Sequence, residues 1–169
     1  MPEPASGDDA CLPSSQAGAD MRWNLLVEVL QIERGHCART IGRLPESLVS
    51  PEFLIIEMMA QTAGLALGAQ HDFETDVVFA KLDQASFEKR PSPTAEFSVE
   101  AMIEEWREEG SWFQGKVSSC GKDVAQARLL LLNAGCLNSA AGRSVTFHED
   151  FMRHYHIREK VTARTGQVS

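Results

Sequence analysis

Residues 50–70 read SPEFLIIEMMAQTAGLALGAQ, and the remainder of the chain is organised around them. Ser50 suits an N-cap, Pro51 the first helical position, and Glu52 the first turn, so three start signals stand in a row. Phe53, Leu54, Ile55, Ile56, Met58, Met59, Ala60, Ala63, Leu65, Ala66 and Leu67 then put apolar side chains on nearly every face. A helix apolar all round is a buried helix. Its length approaches the roughly 20 residues of a membrane span, but Glu57, Gln61 and Thr62 interrupt it and no positively charged flank follows. Its second half is rich in Ala and Gly, which lets other backbone approach closely, as when a sheet wraps a helix. Glu57 is the one carboxylate in the middle of this surface. Burying it costs several kcal/mol, on the order of a lost ion solvation shell, unless it is paired or protonated. A carboxyl group in such a place can act as an acid or base near neutral pH. Equally, it could face solvent at a sheet edge or pair with an arginine such as Arg43.

Working outward, the chain of 169 residues supports one domain with tails. A hydrophobic fraction of 43% with 24% charged residues is ordinary for a soluble globular protein. The formal net charge of −8 argues against nucleic acid as the main partner. Cys11, Cys37, Cys120 and Cys136 are widely spaced with no CxxC, which points to free thiols in a reducing cytoplasm. Residues 1–21 carry almost nothing to bury and no export signal, and read as a disordered tail. The folded domain is expected over 22–136, and a linker with a C-terminal amphipathic helix over 137–169.

Upstream of the helix, residues 23–32 (WNLLVEVLQI) are strand-like, although so short an apolar run also fits an amphipathic helix. A turn at Gly35 and a second strand over 37–41 follow. Downstream, 77–87 resumes strand character, 88–95 with two prolines is a loop or edge bulge, and 96–106 alternates. Residues 111–119 and 124–133 read as a hairpin about the turn 120–123. The order is strand, strand, buried helix, four strands: an α+β layer architecture with one antiparallel sheet. Thr146 to Glu149 has capping-box spacing, and Phe147, Phe151 and Tyr155 recur every fourth residue. These predict a helix over 147–160 packed on the sheet or on a partner subunit, with a frayed end from 162.

Few other residues point to chemistry. His148, His154 and His156 match no common zinc spacing. His36 and His71 read as solvated, Lys89-Arg90 as a solvated loop, and Trp112-Phe113 as core. No serine lies in a nucleophile elbow and no glycine-rich phosphate loop is present.

The stretch 50–64, with its core LIIEMMAQTAG, resembles the central-helix motif of the FabZ/FabA 3-hydroxyacyl-[acyl-carrier-protein] dehydratases, roughly PGVLIIEAMAQAAG. Residues 79–91 (FAKLDQASFEKRP) are similar to that family's FAGIDKARFRRPV segment, and the last hairpin also fits. The resemblance covers about 23–133. It implies a hotdog fold, in which a sheet wraps a long central helix, and a dimer formed by continuous strand pairing, with itself or with another subunit. It implies an acyl thioester substrate, on acyl carrier protein, in fatty-acid or polyketide-type metabolism, with no cofactor, no metal and no membrane or nucleic-acid partner.

The implied chemistry uses a histidine from a loop before the helix and a carboxylate on the helix, from opposite subunits. Glu57 falls on the carboxylate position and Gln61 on a polar residue one turn later. Phe53 and Phe79 fall within the implied substrate-binding segments. Arg43 stands where the histidine motif H-F-P-G would begin, and arginine stays protonated where imidazole would not. Glu46 and Glu52 replace two glycines of the motif, and Lys81 a third. Three readings follow: a dehydratase-lineage enzyme or hotdog thioesterase using Glu57, a non-catalytic hotdog that binds acyl chains or carrier protein or partners an active dehydratase, and a purely structural partner. An Arg43–Glu57 pair closing the site would mark the second.

Overall fold

The computed structural model describes residues 25–45, 50–88, 90–92, 95–135 and 146–163. The N-terminal tail, Glu46, Lys89, Cys11 and Cys136 lie outside these, as do the linker before residue 146 and the end beyond residue 163. The helix α1 spans Pro51–Gln70. Around it runs a seven-stranded sheet of β1 (Leu26–Glu33), β2 (Cys37–Arg43), β3 (Val77–Phe87), β4 (Glu96–Trp106), β5 (Gly110–Ser119), β6 (Lys122–Asn133) and β7 (Val161–Thr162). Their order across the sheet is β3-β6-β5-β4-β2-β1-β7. Every pairing is antiparallel except the short parallel contact of β7 with β1.

Alternation along the strands decides which face is covered. Phe97, Val99 and Ala101 of β4 point inward, as do Phe113 and Val117 of β5 and Ala125, Ala127, Leu129 and Leu131 of β6. Against them lie Ile55, Met58, Met59, Ala63, Leu65, Ala66 and Leu67 of α1, all but fully buried. Close approach is made by glycines of the sheet as well as of the helix. A Cβ at Gly42 would lie 2.2 Å from Met58 Sδ, and one at Gly115 2.6 Å from Met59 Sδ. Each glycine is therefore the hole into which a methionine fits. One buried polar link crosses the layers: Thr40 of β2 meets Thr62 of α1 at 2.8 Å, and Thr62 also donates to the Met58 carbonyl. The β5–β6 hairpin turns at Cys120-Gly121, both at positive φ, the geometry of a two-residue turn.

The first strand forms as read, over Leu26–Glu33. Three expectations need correction. Ser50 precedes the helix but caps no N–H with its side chain; its hydroxyl donates to Glu52 instead. The C-terminal helix is two pieces, α2 (Glu149–His154) and α3 (Ile157–Lys160), broken where His156 takes a left-handed conformation. Its N-cap is His148, whose Nδ1 accepts from the Phe151 N–H at 3.2 Å. The chain then does not fray at Thr162, because β7 pairs with β1 there. This segment packs on α1 and β1 of its own chain. The Tyr155 hydroxyl donates to the buried Leu26 carbonyl at 2.7 Å. Thr146 N–H donates to the buried Asp76 carboxylate at 2.7 Å.

Candidate functional site

The helix is not apolar all round. Phe53, Glu57 and Gln61, one turn apart, form a row that the sheet leaves uncovered, and the remainder of the middle is buried. Beside that row lies a cavity of about 280 Å³, near the lower end for a small-molecule pocket. On the helix side it is lined by Glu57, Ala60, Gln61, Gly64 and Leu65, which share one face. Val77 and Phe79 of β3, Leu131 of β6 and Leu26 of β1 form the sheet side. Thr146, Phe147 and Phe151 of the C-terminal segment complete it. The wall is apolar apart from Glu57, Gln61 and Thr146.

Gln61 sets the position of the carboxylate. Its Oε1 accepts from the Leu25 N–H at 3.0 Å, which orients the amide so that Nε2 donates to Glu57 Oε1 at 3.1 Å. The arrangement holds one half-buried carboxylate at the polar end of an apolar slot. Chemically it can move a proton to or from a group carried at the head of an aliphatic chain.

No family model matches the chain. Over 91 residues, 53% of this chain, it is 33% identical to the bifunctional enzyme LpxC/FabZ of Chlorobaculum tepidum, of which it spans 20%. Over 92 residues, 54% of this chain, it is 30% identical to the 3-hydroxyacyl-[acyl-carrier-protein] dehydratase FabZ of Enterococcus faecalis, of which it spans 65%. The chain thus spans less than two thirds of either relative. Among solved structures, it matches the dehydratase heterocomplex ApeI:P from Xenorhabdus doucetiae with a TM-score of 0.55 at 16% identity, over 67% of this chain and 84% of that one. It matches a hypothetical thioesterase with coenzyme A from Streptococcus pneumoniae at 0.53 and 12% identity, over 64% and 85%. The chain has the hotdog fold and is similar in sequence to FabZ.

In this FabZ-like chain, the residues singled out from sequence are not all together. Glu57, Gln61 and Phe79 line the cavity beside α1 together. Phe53 is 68% exposed on the helix turn before Glu57, so a large apolar ring stands in solvent beside the carboxylate. Arg43 does not reach Glu57. It pairs with Glu96 at 3.3 Å, its direct cross-strand neighbour on β4, and both side chains are exposed. The Ser50 hydroxyl holds the Glu52 carboxyl below the usual carboxylate range. Lys81 forms an ion pair with Asp83 and leans over the Trp112 ring. Trp112 is not core: it faces away from the helix, with the Arg128 guanidinium 4.1 Å from its ring centre, while Phe113 beside it is buried.

The histidines are otherwise engaged. His148 caps α2, His154 packs edge-on against Tyr155, and His156 faces Glu159 at 3.4 Å. His71 is half-buried beside Asn133, at 3.2 Å, and not simply solvated. Among the described residues the group with metal-ligand spacing is Glu33, His36 and Cys37 at the β1–β2 turn, whose donor atoms lie within 4.8 Å of one another. None of these lines the cavity. Burial pushes the Cys37 thiol up in pKa, with Arg39 acting in the opposite direction and Glu33 reinforcing the rise.

Sequence reasoning missed Leu26, Thr146, Phe147 and Phe151 as cavity wall. The four-residue spacing of Phe147, Phe151 and Tyr155 marked an apolar face, but nothing local says what that face covers.

Proposed function

We propose that this chain binds and acts on acyl thioesters, with the acyl tail in the cavity beside α1 and Glu57 as the proton-transfer group. The observation that carries this reading is the carboxylate, fixed by Gln61, at the polar head of an apolar slot. The similarity to FabZ dehydratases supports a 3-hydroxyacyl substrate, delivered on acyl carrier protein in the cytoplasm for fatty-acid or polyketide-type metabolism. In dehydration the C2–H and C3–O bonds break, the C2=C3 bond forms and water leaves. Arg43 stays protonated and takes no C2 proton. One carboxylate balances the step alone: Glu57 takes the C2 proton and passes it to the departing hydroxyl.

The working form is a dimer, with itself or with a second hotdog chain. The edge of β3 not used by β6 is unpaired among the described residues, and carries Val78, Phe79 and Leu82 at 38–39% exposure.

A second reading rests on Arg43, an always-protonated residue where the resemblance places a histidine, although its partner is Glu96 and not the Glu57 that would mark a closed site. In it the chain holds acyl groups or carrier protein without turnover, as the partner of an active subunit. Mass spectrometry of a 3-hydroxyacyl thioester, on carrier protein and on pantetheine, separates the two. Loss of water with wild type but not with Glu57→Gln supports the dehydratase. Release of free acid makes it a thioesterase, and binding without turnover supports the second reading. Neither binding nor turnover overturns both.

A further inference from the structure

We infer that the C-terminal segment, residues 146–163, is the stop of the acyl cavity, with the Phe147 and Phe151 rings setting how long a tail it admits. This rests on the acyl-thioester reading above. The helix face that lines the cavity runs Glu57, Ala60, Gln61, Gly64, Leu65, and its next member, Gly68, is covered by Phe147. A Cβ at Gly68 would lie 2.5 Å from Phe147 Cζ, so the ring sits directly on the helix backbone one turn past the last lining residue. Phe147 is buried, edge-on to Phe73 at 5.1 Å. Phe151 stands 6.5 Å from Phe147 and 5.1 Å from Tyr155, bridging from the helix to β1.

The segment is anchored at both ends and in the middle. Thr146 is held by the buried Asp76, Tyr155 by the Leu26 carbonyl, and Val161 and Thr162 by β1. A wall tied down in this way does not yield to a longer ligand as a loose loop would. From Glu57 to Gly64 the helix rises about 10 Å. An extended alkyl chain advances ~1.25 Å per bond, from a bond of about 1.5 Å and an angle of about 111°. The slot therefore holds a tail of about eight carbons beyond the group at Glu57.

The test uses the full chain and S-alkyl pantetheine thioethers, which neither dehydrate nor hydrolyse, with tails from four to fourteen carbons. Calorimetry gives the affinity of each. For wild type, affinity rises about four-fold per added carbon, the worth of one buried methylene, and stops rising near eight. Phe151→Ala, at a half-buried site, should move that stop outward by about two carbons, worth some fifteen-fold in affinity for a ten-carbon tail. Phe147→Leu, which keeps the site filled, is the second variant, and thermal melting of both establishes that they fold. A shift in either variant supports the inference. An unchanged stop in both overturns it while leaving acyl binding intact. If no thioether of any length binds wild type, the acyl-thioester reading fails and this inference with it.

Discussion

Gly68→Ala sets two opposing effects of known sign against each other. A glycine inside a helix is worse than alanine by about 1 kcal/mol, so with free space above it the substitution stabilises. Here the added methyl would meet Phe147 Cζ at 2.5 Å, its Cε2 at 2.7 Å and Phe73 Cδ1 at 2.9 Å. Both rings are buried and packed edge to face, so neither can move without disturbing the other. Forcing a methyl into such a contact costs about 1–3 kcal/mol. The net expectation is a loss of about 1 kcal/mol, a fall in Tm of about 2–4 °C for a chain this long. In a Phe147→Ala background the two closest contacts are gone and the Phe73 ring has room to give way, so the same substitution should gain up to about 1 kcal/mol. Urea denaturation of the four proteins in the cycle gives a coupling of about 2 kcal/mol. A stabilising Gly68→Ala in the wild-type background would show that Phe147 does not sit on the helix, and would remove the stop of the cavity with it.

Other outcomes follow from buried polar groups. Thr62→Val should cost about 1–3 kcal/mol by chemical denaturation because it strands the Thr40 hydroxyl, whereas Thr40→Val with Thr62→Val should cost less than the two singles summed. Asp76→Ala should cost about 1–3 kcal/mol and make the C-terminal segment more open to limited proteolysis, with Asp76→Asn, which keeps an acceptor for Thr146, losing less. The Cys37 thiol has its pKa raised in the fold, so its contribution to stability is complete below the ordinary thiol value and is lost as pH rises. Stability should therefore decline above about pH 8.5, and Cys37→Ala should flatten that part of the curve in urea melts taken at each pH.

The strands and the central helix could be read from sequence because the signals are local. Two-residue alternation of Phe97, Val99 and Ala101 and the start signals Pro51 and Glu52 need no knowledge of neighbours. Glu57 and Gln61 could be paired from their spacing alone, since one helical turn fixes their face. Phe79 was placed by family resemblance rather than by pattern. Arg43 could be located but not its partner, because strand register, not sequence distance, puts Glu96 opposite it. Phe147 covering Gly68 is a contact between distant parts of the chain, and the small side chain at Gly68 could equally have admitted a strand. The two residues of β7 are too few for a period, and the left-handed His156 that splits the last helix carries no mark in its own residue type.

The two margins of the sheet are treated differently. Beyond β1, the chain folds its own tail back, with Tyr155 taking the Leu26 carbonyl and Val161–Thr162 occupying the adjacent rung. Beyond β3 nothing among the described residues does the same. A sheet open on both sides can be extended by one copy after another, as in a fibre, whereas a margin partly occupied by its own chain offers less to join. Two such molecules meeting at β3 would exhaust each other's free margin. The tail thus occupies two rungs of the β1 margin, beside Ile32 and Glu33, that a further copy would otherwise use.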